Sequence, residues 1–269
     1  MKSTERGSSG GVVTPSAAAP LLEMRGLRAG YGELVVLKGI DLRVDAGQLV
    51  CIIGPNGAGK TTLLKLVNGL LKPSGGEIWF RGQRIDGLPA YKVARCGVTQ
   101  MFQDIQLCPS LSVIENVMTG CHVWTRSSFM ATGFRVRRAR DEEEVIRAAA
   151  LEQLNALGLA GSIQARPRHL SWGEQKLVGL ARALVAKPSL ILLDEPYGGL
   201  VQDEIDRLSC LLRELTAAGM TVLMVEHLTD VVMDVAGRVV VLHYGEKIAE
   251  GPPQMIRRDE RVIASYLGE

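Results

Sequence analysis

Eight residues, GPNGAGKT from Gly54 to Thr61, limit the fold of this chain more than any other segment. They follow an apolar run that begins at Leu49 and closes with Cys51, Ile52 and Ile53. They precede TTLLKLVNGL, in which Leu63, Leu64, Val67 and Leu70 recur at helical spacing. The local order is therefore strand, glycine loop, helix. Successive backbone N–H groups of such a loop wrap a polyphosphate, and the helix N-terminus adds partial positive charge. Gly54, Gly57 and Gly59 let the main chain approach the anion, with Pro55, Asn56 and Ala58 between them. Lys60 has the reach for β and γ phosphates, the Thr61 hydroxyl suits Mg²⁺, and Thr62 follows on the opening turn of the helix. This is a phosphate-binding P-loop.

A second region narrows the chemistry. LSWGEQ (Leu170 to Gln175) is followed by LILLDEP (Leu190 to Pro196). Leu190 to Leu193 is a continuous apolar run, the pattern of a strand buried on both faces, and it delivers Asp194 and Glu195 at its carboxyl end, where ligands collect in open α/β sheets. Asp194 fits the Mg²⁺-side carboxylate (Walker B), and Glu195 the group that orients or deprotonates an attacking water. Ser171 is placed to N-cap the helix that follows and to expose its positive end to an anion.

From about Leu22 to Gly268 the sequence resembles the ATP-binding subunit of ABC transporters, because these motifs stand in that family's order. The resemblance implies ATP and Mg²⁺ as ligands. It implies that Ser171, Gly173 and Gln175, matching LSGGQ, contact the nucleotide held by a second ATPase subunit in a head-to-tail dimer. It further implies that Gln103 touches Mg²⁺ and the attacking water, that His227 contacts the γ phosphate, and that Tyr31 stacks on adenine. Glu195, His227 and Gln103 are then the catalytic set, and Thr61, Gln103 and Asp194 the metal set. Three positions depart from the pattern: Trp172 replaces a glycine, Glu174 replaces the second-to-last glycine of the longer motif, and Val201 ends GGLV where many relatives carry Asp or Asn.

The expected fold is α/β, a P-loop NTPase (RecA-like) core with a mostly parallel sheet, an antiparallel β subdomain and an α-helical subdomain. Short apolar runs with glycine turns over Leu22 to Val50 and Glu77 to Ile85 suggest the β part. Residues 21–269 read as a single ABC ATPase domain, with helices over about 104–180. Asp141 and the three glutamates after it mark a helix start, with Val145, Ala149, Leu154 and Leu157 near one face and Gly158 ending it. Residues 1–20, rich in Ser, Gly, Ala and Pro, read as a flexible tail with no secretory signal. The basic run Arg135 to Arg140 reads as a solvated helix end.

A chain of 269 residues, 46% hydrophobic, supports one sizeable globular unit. No apolar stretch is long enough to span a bilayer, and a net charge of +2 gives no reason to expect nucleic acid. Five cysteines without metal spacing fit reduced thiols in the cytoplasm. The phrase VEHLTDVVMDVAGRVVVLHYGEKIAEG and the ending RDERVIASYLGE look like the ATPases of branched-chain amino acid uptake systems, with urea and amide uptake or lipopolysaccharide export ATPases as close alternatives. The partners so implied are transmembrane permease subunits, which a groove over about Asp104 to Gly120 would receive, a second ATPase copy or paralogue, and indirectly a solute-binding protein. The chain would be peripheral on the inner face of the cell membrane. A soluble ABC ATPase of chromosomes or ribosomes is a rival reading, but no sustained heptad run and no second P-loop accompany this one.

Overall fold

The computed structural model describes residues 19–123 and 136–267. In chain order its first elements are β1 (Leu22–Tyr31), β2 (Leu34–Val44), β3 (Leu49–Ile53), α1 (Lys60–Val67), β4 (Gly75–Phe80), β5 (Gln83–Arg84), α2 (Ala90–Arg95) and β6 (Val98–Met101). Helices α3 (Val113–Met118), α4 (Val136–Ala156) and α5 (Trp172–Leu184) come next, then β7 (Leu190–Asp194) and α6 (Gln202–Ala217). The chain closes with β8 (Thr221–Val225), α7 (Thr229–Val235), β9 (Arg238–His243), β10 (Glu246–Gly251), α8 (Pro253–Ile256) and α9 (Glu260–Leu267).

Every residue of β3, β7 and β8 is buried. That is what their uninterrupted apolar sequences require, because a parallel strand covered on both faces has no polar side to alternate with. They lie inside a six-stranded sheet of order β10-β9-β3-β8-β7-β6, parallel except for the β9–β10 hairpin. Side-chain alternation then divides the core in two. Cys51, Ile53, Ile191, Leu193, Val222 and Met224 join the helical side with α3, α5 and α6. Val50, Ile52, Leu190, Leu192, Leu223 and Val225 pack instead with α1 and with a four-stranded antiparallel sheet, β2-β1-β4-β5. The expected α/β architecture with its antiparallel β part is thus present.

Several local expectations differ. Helix α1 stops at Val67, with Asn68 as C-cap, so Leu70 lies outside it and is exposed. Helix α4 begins at Val136, upstream of Asp141, and ends before Gly158, which takes a left-handed φ of 71°. Ala150 and Leu154 are its buried contacts, with Leu157 buried just past its end, whereas Val145 faces solvent. Of the expected flexible tail over residues 1–20, residues 1–18 lie outside the described residues, as do the side chains of the basic run 135–140.

Leu193→Ala would remove a fully buried side chain between β7 and the helical layer. It should lower unfolding free energy by about 2–5 kcal/mol. Urea denaturation reads this directly, and a loss well under about 1 kcal/mol would mean the strand is not the packed centre described.

Candidate nucleotide site

The register of the parallel strands sets the site before any side chain enters. Ile52 of β3 pairs with Val225 of β8, Val225 with Asp194 of β7, and Met101 of β6 with Leu193. The loops leaving these strands therefore begin along one edge of the sheet, bringing together Gly54, Glu226 with His227, Glu195, and Phe102 with Gln103. Strand β3 is flanked on one side by β8 and on the other by β9, so its carboxyl end is where the topology opens a crevice.

The loop after β3 has the shape a polyphosphate needs. Gly54 adopts φ 151°, and a Cβ there would sit 2.1 Å from the Leu242 carbonyl oxygen, so only glycine fits against β9. Gly57 adopts φ 80° at an exposed crest where a Cβ would meet nothing within 4 Å, leaving the main chain open to an approaching anion. Ala58 N–H donates to Pro55 O (3.2 Å), and Ala58 O accepts from Gly245 N–H in the β9–β10 turn (3.2 Å). Lys60 is buried; its ammonium donates to the loop's own carbonyls at Gly54 (2.6 Å) and Pro55 (3.0 Å), which holds it at the loop mouth. Thr62 is buried in the first turn of α1.

Next to the loop, the Thr61 hydroxyl donates to Asp194 Oδ1 at 3.3 Å. Burial pushes the Asp194 carboxyl above its ordinary range, against the opposing pull of the Thr61 bond. A cation would reverse that balance by stabilising the charged form. Among the described residues no cluster of three His, Cys, Asp or Glu could hold a metal ion. The protein thus offers hard oxygens from Thr61 and Asp194 but no full coordination shell. This fits Mg²⁺, which binds through one or two protein oxygens plus substrate phosphates.

Glu195 follows with φ 47°, a left-handed conformation that is uncommon away from glycine and concentrates at functional sites. Its Oε2 accepts from Gln103 Nε2 (2.8 Å) and lies 3.7 Å from His227 Nδ1. Gln103 spends an N–H on Glu195, so its carbonyl oxygen is the atom with which it would meet a cation. Tyr31 ends β1 at the tip of the β1–β2 hairpin, half exposed, paired in register with Leu34.

The second motif stands apart from the loop. Ser171 N-caps α5 through a capping box: its Oγ accepts from Glu174 N–H (3.1 Å), and Glu174 Oε2 accepts from Ser171 N–H (2.8 Å). Ser171 Oγ also donates to Glu204 Oε1 (3.4 Å), and a Cβ on Gly173 would collide with that carboxylate. Gln175 donates back to Leu170 O (3.3 Å). Gly54 to Thr62, Asp194, Glu195, Gln103 and His227 thus gather at one edge, while Ser171 is exposed and Gln175 half-buried at the start of α5, with Gly173 buried between them against Glu204.

Two residues of this region carry no signal that sequence reading used. Glu226, fully buried, accepts from the main-chain N–H of Tyr197 (2.9 Å), His227 (3.0 Å) and Leu228 (3.4 Å), tying the loop after β7 to the loop after β8. Lys176, also buried, donates to the carbonyls of Glu195 (3.2 Å) and Pro196 (2.7 Å). A charged residue inside otherwise apolar surroundings was the only available clue to either.

The ABC transporter family profile matches residues 37–198, and that of the branched-chain amino acid ATP-binding cassette transporters matches residues 246–269. The high-affinity branched-chain amino acid transport ATP-binding protein BraF of Pseudomonas aeruginosa is 36% identical over 93% of this chain and 98% of its own. Among solved structures, the ADP conformation of an ATP-binding cassette from an ABC transporter superposes with TM-score 0.82 at 30% identity, covering 94% of this chain and all of that one. The dimeric structure of a bacterial ABC transporter cassette superposes with TM-score 0.73 at 29% identity, covering 86% of this chain and 98% of that one.

Glu226→Ala would strand buried main-chain donors, each worth about 1–3 kcal/mol, so unfolding free energy should fall by about 3 kcal/mol, with a smaller loss for Glu226→Gln. Chemical denaturation checks this. Parental stability in the alanine variant would show that the three bonds do not organise the two loops.

Proposed function

Because this chain belongs to the ABC transporter family of ATP-binding proteins, we propose that it hydrolyses ATP to drive a permease importing branched-chain amino acids or related small amides. The observation that carries the ATPase reading is the convergence of Lys60, Thr61 with Asp194, and Glu195 with Gln103 at one sheet edge. The cargo reading is supported by the similarity to BraF along 93% of the chain and by the match at the carboxyl end.

In this mechanism the loop amides from Gly54 to Thr61 and the Lys60 ammonium hold the β and γ phosphates. Tyr31 offers its ring to adenine. Thr61 and Asp194, with Gln103, would hold Mg²⁺, which would supply positive charge against the phosphate oxygens. Glu195 takes a proton from the attacking water, whose oxygen bonds to the γ phosphorus as the bond from that phosphorus to the bridging oxygen breaks and its electron pair leaves on the β phosphate of ADP. Gln103 keeps that carboxylate aimed, and His227 faces it from the opposite loop. Ser171 and Gly173 of a second copy close over the nucleotide.

The chain acts on the inner face of the membrane through its permease; among the described residues no helix is long and apolar enough to cross a membrane itself. A cavity of about 320 Å³ lined by Leu70, Ala94, Phe102, Thr119, Gly120 and Arg182 is the place for a permease helix. Thr119 and Gly120 belong to the segment over which the groove was expected, Asp104 to Gly120, while Val113, Ile114 and Val117 of that segment are core residues. Phe102 adjoins Gln103, so occupancy of the cavity bears on the residue that aims Glu195.

Lys60→Ala should weaken ATP binding at least about tenfold in equilibrium titration, a loss of about 1.4 kcal/mol or more, and unchanged affinity would remove the loop from the site. Glu195→Gln should retain ATP affinity while steady-state phosphate release falls by about a hundredfold or more. Parental turnover in that variant would overturn the role of Glu195.

A further inference from the structure

The left-handed backbone of Glu195 costs about 1–3 kcal/mol and persists only where neighbours hold it. Its N–H donates to Val225 O at 3.0 Å and its side chain accepts from Gln103. Its carbonyl accepts from Lys176 at 3.2 Å, and the same ammonium donates to Pro196 O at 2.7 Å. Lys176 belongs to α5, the helix that Ser171 caps. One turn earlier on that face, Trp172 donates from Nε1 to Gly198 O (3.3 Å), and its ring centroid lies 5.9 Å from Lys176 Nζ. Gly199 gives the indole room: a Cβ there would press on Nε1 at 3.0 Å. Helix α5 therefore grips three of the four carbonyl groups of the Glu195–Gly198 loop, those of Glu195, Pro196 and Gly198, while the Tyr197 N–H is held by Glu226.

We propose that Trp172 and Lys176 are positioning residues that latch the helix presenting Ser171 and Gly173 to the loop carrying Glu195, so that engagement of the helix tip by a partner's nucleotide sets the aim of this chain's own hydrolytic carboxylate. The proposal rests on Glu195 acting in hydrolysis. The indole N–H supplies the loop with a polar tie from the helix where Val201, exposed at the end of the same loop, has no polar side chain to offer.

Full-length Lys176→Met, Lys176→Arg and Trp172→Phe test this. Methionine keeps the buried volume but leaves the Glu195 and Pro196 carbonyls without their donor, so Tm is read beside kcat: a lysine serving stability alone would lower Tm and leave the kcat of the folded enzyme unchanged. The latch predicts a kcat about tenfold lower in Lys176→Met with KM for ATP within about twofold, and recovery of most of that loss in Lys176→Arg, which keeps the donors. Trp172→Phe, which retains the ring and loses the N–H at a half-exposed position, should lower kcat about threefold without lowering Tm. Parental kcat in both Lys176→Met and Trp172→Phe overturns the latch, as does a kcat loss in Lys176→Met that Arg does not restore and that comes with a lowered Tm. Glu195→Gln, assayed alongside, separates the two ideas: if it turns over normally the Glu195 reading fails, and if it is inactive while both Lys176→Met and Trp172→Phe keep parental kcat only the latch fails.

Discussion

Parallel pairing of β3, β8, β7 and β6 is the constraint on which the rest depends. Because the four strands run the same way and are in step, their carboxyl ends stop along one edge, and chain segments separated by more than a hundred residues leave the sheet side by side. The phosphate loop, the Asp194–Glu195 step, Gln103 and His227 meet for that reason. A slip of one residue in a single pairing would turn its side chains to the other face and break both halves of the core. The site is thus stabilised by the same apolar burial that stabilises the fold.

Much of this was legible in the sequence, and for identifiable reasons. Leu190 to Leu193 announces a doubly buried strand because no polar residue interrupts it, and the loop glycines announce themselves because the backbone at Gly54 and Gly57 takes conformations that side chains disfavour. Ser171 followed three residues on by Glu174 forms the capping box that such spacing favours. Other features depended on tertiary context. Leu70 continues a helical rhythm, yet α1 ends before it. Val145 fits the apolar stripe of α4 but faces solvent, because Ala150 and Leu154 define the buried face. Glu226 and Lys176 stand beside well-known motifs as unremarked charges, and only burial against specific carbonyl and N–H groups reveals them as the ties between loops.

Those ties give the site its stiffness. Glu226 joins the loops after β7 and β8 through three main-chain donors, and Lys176 with Trp172 joins the first of these loops to α5. The residue between these anchors, Glu195, is held in a backbone conformation it would not choose alone. Buried polar groups that are fully bonded specify one arrangement more sharply than apolar packing does. The hydrolytic role proposed for Glu195 needs that definition, since the aim of a carboxylate at a water decides the rate more than its mere presence does.

One chain supplies two unlike faces: the loop at Gly54 to Thr61, and the α5 tip, whose Ser171 bonds only within its own neighbourhood, to Glu174 and Glu204. The central claim is that each face completes the other's site in a second copy. Sedimentation equilibrium of Glu195→Gln with and without ATP and Mg²⁺, using Ser171→Arg in the same background as the control, tests it most directly. The account predicts a mass of two chains carrying two nucleotides only when ATP is present, and a single-chain mass for the control. A Glu195→Gln chain that binds ATP and stays monomeric would contradict it.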